Sequence, residues 1–274
     1  MPGSRASQPV EGPALKQFRD EAYVLRAQPL GEADLIVSFL TQSSGKVRGV
    51  ASAARKSRRR FGGALEPLTH LRLEWTEREG RELHRLDGVE GIRSFAEMQG
   101  DPVLQAACAV LAELSEAFAR EGEADPKSFD LLGAVLEALE LGTDPWLALR
   151  YFEYWLARLH GVLPELGSCA VCGGGIAGRA PAWVDPGVGL RCRTCAGPPG
   201  ATARRIRAGE RAFFEVARRT PPTRLTFDAR MAQPGGALEA LLKGTLESFV
   251  ERRFRTYRHL RSLTLPETRE RRTG

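Results

Sequence analysis

Four of the five cysteines fall in two C-x-x-C units, Cys169 with Cys172 and Cys192 with Cys195, separated by 19 residues. A C-x-x-C turn sets two thiolates along one edge of a tetrahedron, and two such turns at this spacing complete a single closed four-sulfur site. Zinc is the ion that this donor set expects. A closed site has no open position for a reactive water, so the expected role is structural. Four thiolates leave the cluster doubly negative, and Arg179, Arg191 and Arg193 lie near enough in sequence to offset that charge. A redox pair would call for a thioredoxin-like βαβ setting, which the surrounding sequence lacks. Cys108 sits inside an apolar helical stripe and reads as a buried hydrophobe.

The second chemistry-bearing stretch is residues 45–63, GKVRGVASAARKSRRRFGG, with Lys46, Arg48, Arg55, Lys56, Arg58, Arg59 and Arg60 and no acid. Its first half alternates like a strand, and the rest reads as a basic loop closed by Phe61 and two glycines. Lys and Arg outnumber any Asn/Gln set that could read base edges, so the expected ligand is the phosphate backbone. The alternative is a solvated loop kept soluble by its charge. Tyr23, Phe39, Phe61 and Trp75 are the rings near enough to stack on bases, with inward packing expected for all but Phe61.

Charge is unevenly spread. Residues 1–96 hold 16 basic and 12 acidic side chains, residues 97–165 hold 4 and 13, and residues 166–274 hold 20 and 9. Two basic ends around an acidic middle concentrate the field on particular faces, which suits phosphate-bearing partners. Arg204, Arg205, Arg207, Arg211, Arg252, Arg253, Arg255 and Arg258 make up a second basic surface, for DNA or for an acidic peptide of a partner.

The elements that must carry these groups follow from periodicity. Residues 1–17 read as a flexible tail. Alternating runs at 21–27, 34–41, 46–52, 69–76 and 82–87 predict five strands, and a longer connection after the third fits the Greek-key barrel of an OB-fold, with an SH3-like barrel as competitor. Asp101-Pro102, Asp125-Pro126 and Asp144-Pro145 each open a helix, with aspartate as cap and proline at the first turn. The acids of these helices are expected on solvated faces. Further helices are expected at about 207–219 and 236–263. The expected fold is α+β and multidomain: a five-stranded OB-fold at 18–96, a helical part at 97–165, a four-cysteine module at 166–200 and a basic helical part at 201–274. No apolar run reaches the roughly 18–20 residues that span a bilayer, and the first residues lack a signal-peptide apolar region, so a cytoplasmic location is expected.

With these features in order, the chain resembles the bacterial RecO family of recombination-mediator DNA repair proteins. The segments that carry the likeness are YVLRAQPLGEADLIVSFLTQSSGKVRGVA, ARKSRRRFGGALEPLTHLRLE and RYFEYWLARLHGVLPELGSCAVCG. The resemblance implies an N-terminal OB-fold, a helical domain and a zinc module. It also implies binding to single- and double-stranded DNA, strand annealing, and loading of the RecA recombinase together with RecR and the single-stranded-DNA-binding protein. RecF is a further candidate partner, and the location implied is the nucleoid. Members usually carry a Lys-Gly pair where this chain has Ser52-Ala53, and the run Arg58 to Arg60 stands in for the missing cation.

No catalytic set can be assembled. There is no P-loop and no H-E-x-x-H, and His70, His84, His160 and His259 are scattered. GGGIAG at 173–178 matches the letters of a dinucleotide loop but lacks its strand and helix. The expected function is therefore non-enzymatic, with a protein adaptor or a zinc-containing nucleic-acid-modifying enzyme as alternatives.

Overall fold

The structure is a computed structural model that describes residues 16–56, 61, 63–77, 82–176, 180–196, 204–227 and 236–264. It divides into two units, Met1–Ser94 with Arg120–Ala124, and Phe95–Ala119 with Asp125–Gly274.

The first unit is a closed barrel of β1 (Lys16–Leu30), β2 (Asp34–Thr41), β3 (Gly45–Ala51), β4 (His70–Glu77) and β5 (His84–Arg93). The strand order is β1-β2-β3-β5-β4, and the parallel β3–β5 pair at Gly49↔His84 and Val50↔Arg85 closes the sheet. That order is the Greek-key barrel of an OB-fold and not its SH3-like competitor. β1 is twice the expected length because its first half pairs with β4 and its second with β2, with a bulge between Val24 and Arg26 turning the chain. Every second side chain of β3 is buried, and Val24, Val37, Phe39, Val47, Leu71, Leu73, Trp75 and Leu86 fill the interior. Gly49 permits the β3–β5 approach, because a Cβ there would collide with Leu86 and lie 2.9 Å from the His84 carbonyl oxygen.

The segment Arg120–Ala124 belongs to this unit although it joins two helices of the other. The Lys46 amide donates to the Arg120 carbonyl at 2.8 Å. Gly45, at φ +69°, accepts the segment where any Cβ would clash with the Glu123 backbone.

In the second unit, α1 (Pro102–Phe118), α2 (Pro126–Glu140) and α3 (Pro145–Leu159) all begin as the Asp-Pro pairs predict. The Asp101 carboxylate accepts the amides of Val103 and Leu104, Asp125 that of Ser128, and Asp144 those of Trp146 and Leu147. Each cap is worth about 1 kcal/mol. α4 (Ala208–Arg219) follows, then α5 (Gly236–Phe249) and α6 (Thr256–Thr264).

Two expectations are corrected. The single helix over 236–263 is two, broken between Phe249 and Thr256, with Glu251 at φ 53°. The Glu247 carboxylate accepts the Phe254 amide at 2.8 Å, and Glu113 of α1 accepts the amides of Arg255 and Thr256 and, at 2.6 Å, the Thr256 hydroxyl. A carboxylate at the N-terminus of α6 satisfies its unpaired donors and matches its dipole. Glu153 is not on a solvated face but fully buried on α3. It accepts from Arg150 and, at 2.5 Å, from the Tyr257 hydroxyl, while Arg261 donates to buried Glu239. Burial pushes the Glu153 carboxyl up to about 7, against the pull of Arg150.

A small sheet was not expected: β6 (Ala182–Asp185), β7 (Gly189–Cys192) and β8 (Arg204–Ile206), in the order β7-β6-β8. Strands of three and four residues carry too little alternation to read. Among the described residues no helix is long and apolar enough to cross a membrane.

Candidate metal centre and nucleic-acid interface

The four paired cysteines converge, with their sulfurs all within 4.8 Å of one another. Both knuckles have the same backbone form, Gly173 N–H bonding the Cys169 carbonyl and Ala196 N–H that of Cys192, each at 2.9 Å. Gly173 takes φ +71°, which lets the first turn close. The β6–β7 hairpin presents Cys192 at its end, and the Ala170 amide bonds the Leu190 carbonyl at 2.7 Å, tying the knuckles together. Cys172 and Cys192 sulfurs are 3.8 Å apart. That separation matches the edge, about 3.8 Å, of a tetrahedron with metal–sulfur bonds of about 2.3 Å.

Electrostatics favours a cation among the four sulfurs. Amides of Cys192 and Cys172 hold the Cys169 thiol down at about 6, whereas hydrogen bonds with the sulfurs of Cys172 and Cys192 push Cys195 up to about 12. Four sulfurs this close give up their last proton only with a positive partner. The group fits a metal ion. Of the expected compensating arginines, Arg191 is paired with Asp185, Arg193 is exposed, and Arg179 lies outside the described residues.

On the barrel, Lys46 and Arg48 alternate with buried Val47 and project outward from β3. Arg48 faces Glu121 of the Arg120–Ala124 segment at 3.8 Å, both half-exposed. Beyond β3, the turn is fixed by the Asp34 carboxylate accepting the Ala53 amide at 2.8 Å and by the Arg55 amide donating to the Ala33 carbonyl at 2.9 Å. The Arg55 guanidinium donates to the Gly31 carbonyl at 3.0 Å, and Lys56 stands 4.0 Å from Glu32. Exposed pairs at such distances hold a cation weakly. Lys46 and Arg48 therefore lie along the outer face of β3, and Arg55 and Lys56 follow its far end beside the β1–β2 turn, while Arg58, Arg59 and Arg60 lie outside the described residues.

Phe61 corrects the stacking expectation. It is 2% exposed and packed in the barrel interior, as are Phe39 and Trp75, and Tyr23 is stacked on His70. The sequence reads Phe61 as closing the basic loop with its ring outward, whereas the ring supplies apolar area to the barrel interior.

The C-terminal arginines differ in what they touch. Arg211 reaches the carbonyls of Ala180, Leu166 and Ile176, at 3.2, 3.5 and 3.0 Å, and its burial lowers its pKa. Arg253 pairs with buried Glu247 at 2.9 Å, Arg252 donates to the Glu113 carbonyl, and Arg204 to that of Gly236. Arg205, Arg207, Arg255 and Arg258 have exposed side chains. His160 lies 3.5 Å from Asp125 and 3.4 Å from Ser128, but both meet the same ring nitrogen.

Sequence reasoning missed Glu121 and Glu113, whose partners lie 73 residues upstream and 143 downstream. No local signal could have found either.

Comparison with known proteins agrees with this architecture. Residues 15–95 match the family model Recombination protein O N terminal, and residues 99–252 match Recombination protein O C terminal. A DNA repair protein RecO of Koribacter versatilis is 45% identical over 166 residues, covering 61% of this chain and 67% of that protein. One from Anaeromyxobacter sp. strain K is 43% identical over 174 residues, 63% of this chain and 68% of the relative. One from Myxococcus xanthus is 34% identical over 223 residues, 79% of this chain and 89% of the relative. With both halves of the chain matched in order, over the barrel and over the helical unit that includes the cysteine cluster, the chain belongs to the Recombination protein O family.

Proposed function

We propose that this chain is a non-enzymatic DNA repair and recombination mediator. It binds single- and double-stranded DNA, anneals complementary strands, and acts with RecR to load RecA on DNA coated by the single-stranded-DNA-binding protein, with RecF as a further partner. It works in the cytoplasm, at the nucleoid. The single observation that carries the DNA-binding step is the placement of Lys46 and Arg48 along the outer face of β3, with Arg55 and Lys56 on the turn that follows it. Family membership supports the rest of the reading.

The physical route is phosphate neutralisation. Cations on a strand of fixed geometry screen the repulsion between two backbones and leave the bases free to pair. Arg58, Arg59 and Arg60 extend the charge. Affinity then falls with salt, with a slope of about 0.7 per phosphate neutralised on single strands and about 0.9 on duplex. Cys169, Cys172, Cys192 and Cys195 hold one structural zinc ion, which supplies cross-linking of the module and no reaction step.

The test is annealing of complementary strands coated with single-stranded-DNA-binding protein, comparing wild type with Lys46→Glu/Arg48→Glu over a salt series. Wild type should anneal, and the double variant should lose most of the activity while keeping its metal and unfolding temperature. Equal annealing by both would move the working surface away from β3. No annealing by either would favour the adaptor reading.

A further inference from the structure

The three-stranded sheet beside the cysteine cluster has two faces of opposite character. Its inner face is Ala182, Val184, Leu190 and Ile206, each at most 2% exposed. Strand alternation sends Trp183 to the other side. The register then sets Trp183 directly opposite Arg191 of β7 and opposite Arg205 of β8, so one row across the sheet reads Arg191, Trp183, Arg205. Directly opposed residues bring their Cβ atoms to about 5 Å, so the ring has a guanidinium stem on either side. Trp183 is half-buried and Arg205 exposed. Asp185 shares this face and is paired with Arg191. Arg193 and Arg207, both exposed, follow β7 and β8.

We infer that this outer face is a stacking platform for single-stranded nucleic acid, with Trp183 taking a base and Arg205, Arg193 and Arg207 taking the adjoining phosphates. The inference rests on the DNA-binding reading above and adds a second site, on the other unit of the chain. The occupant follows from the combination of groups. Arginines alone would serve any polyanion, but an indole placed outward between them offers a π-face that every base can cover. A duplex keeps its base faces stacked inside and cannot use the ring. An acidic peptide would use the cations and leave the indole idle.

The experiment uses the full-length, metal-loaded protein. Binding of a fluorescent oligothymidylate and of a blunt duplex is measured for wild type, Trp183→Ala, Trp183→Phe and Arg205→Glu, with metal content and unfolding temperature recorded for each. Trp183→Ala should weaken the single strand by about 10-fold, the weight of one stacked base, and leave the duplex unchanged. Trp183→Phe should keep most of the affinity and lose the quenching of tryptophan fluorescence that accompanies binding. Arg205→Glu should weaken the single strand as well. Unchanged single-strand affinity in folded Trp183→Ala overturns the platform and leaves the DNA-binding reading standing, as does an equal loss on both nucleic acids. Quenching of Trp183 by polyglutamate as strong as by the oligonucleotide overturns it in favour of a peptide site. Failure of wild type to bind either nucleic acid overturns the platform and the DNA-binding reading together.

Discussion

The basic residues of β3 and those of the C-terminal half look alike in the sequence and behave differently in the fold. Lys46 and Arg48 stand on the outer face of a barrel strand, and Arg48 meets one exposed carboxylate. Arg211, by contrast, is spent on three backbone carbonyls, and Arg253 on a buried carboxylate. Guanidinium has five donors in a planar fork, so it is the side chain best suited to close loops that lack regular backbone pairing. A run of arginines beside short strands and broken helices is therefore partly mortar. Charge on a regular, well-paired strand is more readily available to a ligand.

The largest test of this contrast is at the cysteines, because the loops that Arg211 stitches surround them. Cys172→Ser should abolish metal retention and expose residues 166–206 to proteolysis, with the barrel still folded; metal analysis and limited digestion check this. Loss of barrel structure in the same variant would show that the two regions are not separable.

Next, Arg211→Ala should cost about 2–3 kcal/mol, since three carbonyls lose their donor, whereas Arg205→Ala should stay within about 0.5 kcal/mol. Denaturant unfolding of both variants measures the difference, and equal costs would erase the distinction between structural and available arginines. A pH series sharpens it further. The Glu153 carboxyl is raised in the fold, so its contribution is complete below the ordinary carboxylate range and is lost as pH rises through about 7. Glu153→Gln should flatten that decline, and the expected gain at pH 8 relative to pH 5 is on the order of 1 kcal/mol. Smallest of all, Glu121→Gln should strengthen DNA binding by about 2-fold at low salt, because it frees Arg48 from an exposed pair, and the gain should vanish at high salt.

Much of this architecture could be read from local pattern. Five alternating runs announced the barrel, three Asp-Pro pairs announced helices that begin at those residues, and C-x-x-C spacing brought four sulfurs together. These signals are local because each reflects strand alternation, a cap or a turn. The break between α5 and α6 escaped for a physical reason. Phe254, Tyr257 and Leu260 continue the apolar stripe, and what ends the helix is a pair of glutamates, one of them 143 residues away from Thr256. The row across β7-β6-β8 escaped because its members are joined by register and not by spacing.

From the sequence alone came the donor set, the sign and placement of charge, the five strands of the barrel and the three Asp-Pro helix starts, since composition, caps and periodicity act within a few residues. The tertiary structure alone decided which arginines remain available, that Phe61 turns inward, that Glu153 is buried beside Arg150, and that Trp183 lies between two arginines. Those outcomes depend on which distant groups the folded chain brings within hydrogen-bonding or packing distance, and no local periodicity encodes that.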